Sequence, residues 1–318
     1  MTDHERWPTT DAPIVTLTLN PALDISSSVP VVSPSHKLRC TTPVVEPGGG
    51  GINVTRVCRR LGEDSVAVVP VGGAVGRRLT DLLEAEGIDA RVVALTEETR
   101  ESISITEETT GHQYRFVLPG PALQPGEIEA CHRAVTEAAA HARCLVISGS
   151  LPEAVDPGII GDLVAALPDV DVLVDTSGPA LPAALQSGAY LVKPSARELA
   201  NVVGRTLDTE ADVTEAAIEV HRSSRVEVLV ASIGAGGAIV VDHRGPHRLR
   251  APSVQVRSTV GAGDSMVAGL AVGRQRGLDA DRAAALGVAA GTATVLTDGT
   301  GLCRLEDVER LLGAVAVG

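Results

Sequence analysis

The sequence predicts an α/β protein: a doubly wound, mainly parallel sheet with helices on both faces, joined to a small β-sheet. Three observations carry this. From residue 119 onward, short apolar runs alternate with helix-length amphipathic stretches, the rhythm of strands linked by crossover helices. Two glycine-rich turns, Gly48–Gly51 and Gly261–Gly263, each open a helix-length segment. Two stretches, 25–47 and 88–118, break the rhythm and are β-rich.

In chain order, Ile14–Leu19 reads as a strand ending at Asn20-Pro-Ala-Leu-Asp24. Residues 25–47 are rich in Ser, Pro and Val and have no helical period. After the glycine run, Val54, Val57, Cys58 and Leu61 recur at helical spacing, with Arg56, Arg59 and Arg60 expected to face out and Gly62 to end the helix. Val66–Val71 is a short strand and Gly76–Glu86 a helix. In Ser102–Leu118, Ile103 and Ile105, then Tyr114, Phe116 and Leu118, alternate with polar residues about a glycine turn, a hairpin with one covered face. Helices are expected at about 126–141, 157–166, 196–203 and 210–223. Strands are expected at Cys144–Ile147, Val170–Asp175, Tyr190–Val192 and Val226–Ala231, with a second hairpin at Ala238–Asp242 and His247–Leu249. The division that follows is a core of 12–24, 48–87 and 119–318, a standoff sheet of 25–47 and 88–118, and a loose tail of 1–11.

Composition narrows the function. A chain of 318 residues suffices for one such core with an insertion. A formal net charge of −13 argues against a general nucleic-acid binder, which needs a basic face. Aromatics at 1% leave almost no stacking platforms for single strands. Five scattered cysteines without a C-x-x-C read as reduced thiols of a cytoplasmic protein. No apolar run is long enough to span a membrane, and the acidic N-terminus is not a signal peptide. The only lysines are Lys37 and Lys193, all other basic side chains being arginine, which hints at a specific need at these two positions.

Five motifs bear on chemistry. In Thr259-Val-Gly261-Ala262-Gly263-Asp264, a glycine turn opens an apolar helix whose first amides favour an anion, and Asp264 could take a proton from an attacking hydroxyl. The same residues also suit a plain helix cap. Gly48–Gly51 permits close backbone approach, or a hinge. Ser232-Ile-Gly234-Ala-Gly236-Gly237 follows an apolar strand and could hold phosphate oxygens, or simply turn a hairpin. Lys193-Pro194-Ser195-Ala-Arg-Glu198 puts a lysine at a strand end and a glutamate in the next helical turn, where it could hold Mg²⁺ through water or complement the helix dipole. Lys37, Arg39 and Arg100 could meet a sugar-borne phosphate, or be solvated surface charge. No Gly-Lys pair exists, so the chain is not a P-loop NTPase, and no H-E-x-x-H supports a metal centre.

Taken together in this order, Asp24, Gly48–Gly51, Lys193–Glu198 and Thr259–Asp264 resemble the ribokinase (PfkB) family of sugar kinases, over about Ile14 to Val308. Family members that act on fructose 1-phosphate or tagatose 6-phosphate usually carry Gly-Gly-Lys-Gly in the glycine run. Gly50 at the third position favours instead the branch that phosphorylates fructose 6-phosphate at its C1 hydroxyl, in glycolysis. The resemblance implies a ribokinase-like core, a lid made by the standoff sheet, homodimers joined through the lids, and ATP with Mg²⁺.

It further implies roles by position. Asp264 is similar to the family's catalytic base, with the amides of Gly261, Ala262 and Gly263 as the anion hole. Asp24, Gly49, Gly50 and Asn53 would grip sugar hydroxyls. Lys37, Arg100 and Ser150 would serve the sugar phosphate, with Arg39 reaching in from the neighbouring subunit. Lys193, Glu198, Ser232, Gly234, Gly237 and Thr259 would line the ATP and Mg²⁺ side. One departure stands out: the family's Lys-Pro-Asn-x-x-Glu has Ser195 in place of Asn, a shorter donor and acceptor beside the nucleotide. The first alternative is a kinase of the same fold acting on fructose 1-phosphate or tagatose 6-phosphate; a more distant one, raised by this departure, is a sugar-phosphate sensor of the same fold without catalysis.

Overall fold

The structure, a computed structural model, describes residues 12–153 and 155–318; the tail expected at 1–11 lies outside them. The strands are β1 (Ile14–Leu17), β2 (Ala22–Val29), β3 (Val44–Gly48), β4 (Ser65–Gly72), β5 (Asp89–Leu95), β6 (Arg100–Glu107) and β7 (Gln113–Val117). They continue with β8 (Cys144–Ser148), β9 (Asp171–Asp175), β10 (Leu191–Val192), β11 (Val228–Ser232), β12 (Gly237–Asp242), β13 (Gly245–Arg250) and β14 (Ala316–Val317). The helices are α1 (Gly50–Arg60), α2 (Gly73–Ala85), α3 (Pro125–Ala139), α4 (Ile159–Ala166) and α5 (Ala180–Gln186). They end with α6 (Ala196–Val203), α7 (Glu210–Ser223), α8 (Ala262–Gln275), α9 (Ala280–Thr294) and α10 (Leu305–Leu312).

The larger sheet has the order β14-β13-β12-β11-β10-β9-β8-β1-β4-β5. Every pair from β11 to β5 is parallel, and β12 to β14 extend the other edge antiparallel. Successive strand residues point to opposite faces, so each strand feeds two cores. Val15, Leu17, Leu145, Ile147 and Val174 pack with α3 to α7, while Ile14, Val146, Leu173 and Val230 pack with α1, α8, α9 and α10. This is the doubly wound arrangement that the strand–helix rhythm predicts. Helices α8 and α9 meet through small residues: a Cβ on Gly269 would stand 2.6 Å from the Gly287 Cα. That close approach seats α8, and with it Asp264, deep against the sheet.

The second sheet has the order β3-β2-β6-β7. Its register sorts side chains by chemistry. Asp24, Ser102 and Ser104 with its partner Arg115 share one face; Ile25, Ile103, Ile105, Phe116 and Tyr114 share the other. Two boundaries differ from expectation. The small sheet takes in Ala22–Asp24, because β2 begins there, and residues 89–95 leave it to become the edge strand β5 of the larger sheet. An edge strand alternates buried and exposed residues much as a lid strand does, so its period alone did not separate the two. Arg56 also differs: it is buried, paired with Glu46 at 3.1 Å and Glu86 at 2.7 Å. Helices α5, α9 and α10 and strand β14 had no counterpart in the sequence reading. No helix among the described residues is long and apolar enough to cross a membrane, and all five cysteines are free.

Candidate active site

The chain runs outward from the β1–β8 pair in opposite directions, β1 to β4 on one side and β8 to β9 on the other. In doubly wound sheets, the crevice beyond the carboxyl ends of such a pair is the place for a ligand. Asn20, just past β1, and Ser150, just past β8, meet across it: Asn20 Nδ2 donates to Ser150 Oγ at 3.1 Å.

The glycine run forms the wall of this crevice because nothing larger fits. At Gly49 the backbone has φ +119°, and a Cβ would lie 2.6 Å from Thr18 Cγ2. At Gly50 a Cβ would lie 2.4 Å from Ser148 Oγ and 2.9 Å from the Gly149 amide nitrogen. The Thr18 and Ser148 hydroxyls are buried with no hydrogen-bond partner among the described residues. The polar face of the small sheet overlooks this wall. Asp24 lies within contact distance of where a Cβ on Gly48 would be. Burial raises the pKa of Asp24, against the opposing charges of Arg100 and Arg115 and a hydrogen bond with Ser102. The Arg100 guanidinium is tethered to the Asn20 carbonyl, its Nη2 donating at 3.0 Å and its Nε at 3.3 Å.

Asp264 sits in the first turn of α8, behind Gly261, the N-cap residue with φ +73°. Amides of a first helical turn have no acceptors within their own helix, so those around Gly261–Gly263 can turn to an anion, the Ala262 amide being held only by a long 3.4 Å bond to the Thr259 carbonyl. The Asp264 carboxylate accepts a hydrogen bond from Asn53 Nδ2 at 2.8 Å, joining α8 to α1 at the glycine wall. Burial pushes the Asp264 carboxyl up to about 6; the Asn53 bond opposes this, Asp175 adds to it, and Lys193 opposes it. Lys193 is 4% exposed and pairs with Asp175 at 3.0 Å. Burial acts to lower its pKa, but Asp175, Glu198 and Asp264 outweigh that and keep the ammonium charged.

Beyond Lys193 lies a groove of about 450 Å³ lined by Ser195, Leu207, Thr209, Ser232, Gly234 and neighbouring residues. Ser195 caps α6: its Oγ accepts from the Glu198 amide at 3.2 Å, and its own amide and hydroxyl both donate to Glu198 Oε2 at 2.8 Å. Ser195 and Ser232 are bridged, so the ends of β10 and β11 form one continuous floor. Among the described residues, no cluster of His, Cys, Asp and Glu could hold a metal ion by itself. A hard cation that keeps its waters and leans on phosphates still fits one carboxylate such as Glu198.

The structure thus gathers Asp24, Gly49, Gly50, Asn53, Arg100, Ser150, Lys193 and Asp264 along one crevice, with Ser195, Glu198, Ser232 and Gly234 at its far end. Gly237 stands behind the groove, where a Cβ would meet the Leu249 carbonyl at 2.2 Å. Thr259 is exposed, its carbonyl accepting from the Ala262 amide at 3.4 Å. Lys37 and Arg39 are exposed on the segment between β2 and β3, and no contact among the described residues brings them to the crevice. Sequence reasoning passed over Asp175, although a lone carboxylate closing the apolar strand Val172–Val174 is a usable signal.

The model of the pfkB family of carbohydrate kinases matches residues 12–307. The ATP-dependent 6-phosphofructokinase isozyme 2 of Mycobacterium tuberculosis is 43% identical over 99% of this chain and 94% of its own length. The protein of that description from Escherichia coli K12 is 41% identical over 94% of this chain and 97% of its own. The crystal structure of Escherichia coli phosphofructokinase-2 in complex with fructose-6-phosphate superimposes with a TM-score of 0.88, covering 95% of this chain and 99% of that one at 39% identity.

Proposed function

The chain belongs to the pfkB family of carbohydrate kinases, and on that premise we propose that it transfers the γ-phosphoryl group of ATP to the C1 hydroxyl of fructose 6-phosphate. The observation that carries this reading is the placing of Asp264. Its carboxylate lies at the amide-rich start of α8, bonded to Asn53 on the sugar side and in the field of Lys193 on the nucleotide side. A carboxyl of pKa about 6 is ionised at neutral pH yet still basic enough to accept a proton as the hydroxyl oxygen attacks.

Phosphoryl transfer leaves the protein little covalent work, so the residues act by positioning and by stabilising charge. Asp24, Asn53 and the glycine backbone at Gly49 and Gly50 orient the sugar. Arg100 and Ser150 receive its phosphate; Lys37, exposed on the segment between β2 and β3, would have to swing in to join them. The amides of Gly261, Ala262 and Gly263 meet the charge that builds on the transferred group, and Lys193 meets the nucleotide phosphates. Ser195, Ser232, Gly234 and Gly237 with Thr259 frame the nucleotide. Mg²⁺, when bound with ATP, neutralises phosphate charge, and Glu198 would hold it through water. The small sheet serves as a lid whose polar face closes over the sugar and excludes water. Its opposite face, with Ile103, Tyr114 and Phe116, suits a second copy of the chain, and Arg39 of that copy would approach this crevice.

The test is ADP release with Mg-ATP and fructose 6-phosphate, fructose 1-phosphate, tagatose 6-phosphate or fructose offered in parallel. Turnover highest on fructose 6-phosphate is expected. Preference for fructose 1-phosphate or tagatose 6-phosphate would move the chain to a sister activity. Sugar-phosphate binding without any turnover would make it a sensor.

A further inference from the structure

Asn20 occupies an unusual position. It is 9% exposed, yet it contacts both groups assigned to the sugar-phosphate end. Its side-chain amide donates to Ser150 Oγ at 3.1 Å, and its main-chain carbonyl accepts twice from the Arg100 guanidinium, at 3.0 and 3.3 Å. Its remaining side-chain atom, Oδ1, is buried without a partner among the described residues, held where a Cβ on Gly120 would come within 2.1 Å. Only a glycine at 120 leaves room for the amide there, and Pro21 follows Asn20 directly in the chain. Ser150 itself is exposed and follows Gly149, whose φ is +109°. Without a tether, its hydroxyl would be free to turn.

The direction of the hydrogen bond matters. A hydroxyl has one proton and two lone pairs. When Ser150 Oγ accepts from Asn20, its own proton is left for an acceptor other than that amide. We propose that Asn20 is a positioning residue for the sugar-phosphate end of the substrate. It turns the Ser150 proton toward the phosphate, while its carbonyl fixes the Arg100 fork beside it. This deepens the reading above and rests on it. Replacing the amide by a carboxylate reverses the effect. An aspartate at this position would accept the Ser150 proton and set a negative charge against an anionic ligand and beside Arg100. Asn20→Ala merely releases the hydroxyl.

The experiment is a kinetic double-mutant cycle on the full chain, with N20A, N20D, S150A and N20A/S150A. It is read with whichever sugar phosphate of the panel above the wild type turns over best. Asn20→Ala is expected to raise KM for the sugar phosphate about five- to tenfold, the scale of one hydrogen bond. The KM for ATP and kcat should stay within about threefold. Asn20→Asp is expected to raise sugar-phosphate KM further than Asn20→Ala does. In the S150A background, Asn20→Ala should add less than about twofold, because the amide acts through Ser150. Full additivity, or an Asn20→Asp variant no worse than Asn20→Ala, would overturn the proposal. So would equal losses in both KM values and kcat with a lowered Tm, which mark a merely structural role. A wrong choice of sugar shows in the wild-type row, whereas a wrong role for Asn20 shows only in the variant rows. Absence of wild-type turnover on every sugar phosphate would overturn both.

Discussion

A carboxyl that titrates near pH 6 gives the reaction a pH signature. Because Asp264 must be ionised to act as base, kcat/KM is expected to rise with pH through about 6 and then level off. The same shift has a stability consequence of definite sign. The folded-state pKa lies above the unfolded value, so this group favours the fold in acid and its contribution is lost as pH rises from about 4 to about 6. Asp264→Asn, which cannot ionise, is accordingly expected to be at least as stable as the wild type at pH 8, measured by thermal melting. A less stable variant would show that the carboxylate supports the fold rather than straining it. In the proposed reaction Arg100 would act differently, through charge on the substrate. Arg100→Ala is expected to raise sugar-phosphate KM by the loss of a charge-assisted contact worth about 1.5–3 kcal/mol, with a smaller effect on KM for ATP. Equal KM values in variant and wild type would remove Arg100 from the site. Several of these residues were legible in the sequence because glycine, asparagine and aspartate cluster in short motifs. Asn20 and Asp175 were not, since a lone polar residue after a strand acquires meaning only when the fold supplies its partner.

Helix termini and close helix contacts place these side chains. The Ser195–Glu198 capping box starts α6 and orients the carboxylate at the nucleotide groove. Ser195→Ala should lower stability by about 1 kcal/mol through loss of the cap, and raise KM for ATP more than KM for the sugar. An unchanged KM for ATP would detach this helix start from the nucleotide site. At the α8–α9 contact, a Cβ on Gly269 would meet the Gly287 backbone, so Gly269→Ala is expected to cost about 1–3 kcal/mol and to shift Asp264 with its helix. Helix α9 also shows why periodicity failed there. With Ala284, Val288, Ala289, Ala290 and Ala293 buried between α8, α10 and the sheet, it has no broad polar face to mark a period. Edge strand β5 failed for the converse reason, having the same alternation as the strands of the small sheet while its partner, β4, was not knowable from local pattern.

At the scale of the whole molecule, two sheets meet at one crevice; in the proposed reaction the larger would carry the nucleotide side and the smaller overlook the sugar side. The strand–helix rhythm made the larger sheet readable, because each strand must feed two helical layers. The interruption of that rhythm made the smaller sheet readable, although not its limits. Phe116 is 54% exposed and Tyr114 37% exposed on the outer face of the small sheet, a placement that water disfavours in an isolated chain. Phe116→Asp is expected to weaken self-association, seen as a lower mass in sedimentation; an unchanged assembly would exclude this face as the contact. The most direct test of the account is the turnover of Asp264→Asn at saturating ATP and fructose 6-phosphate, measured together with its affinity for the sugar phosphate. A fall in kcat of about a hundredfold or more, with affinity and fold retained, is the predicted result. A kcat near that of the wild type would contradict the assignment of the base, and with it the central claim.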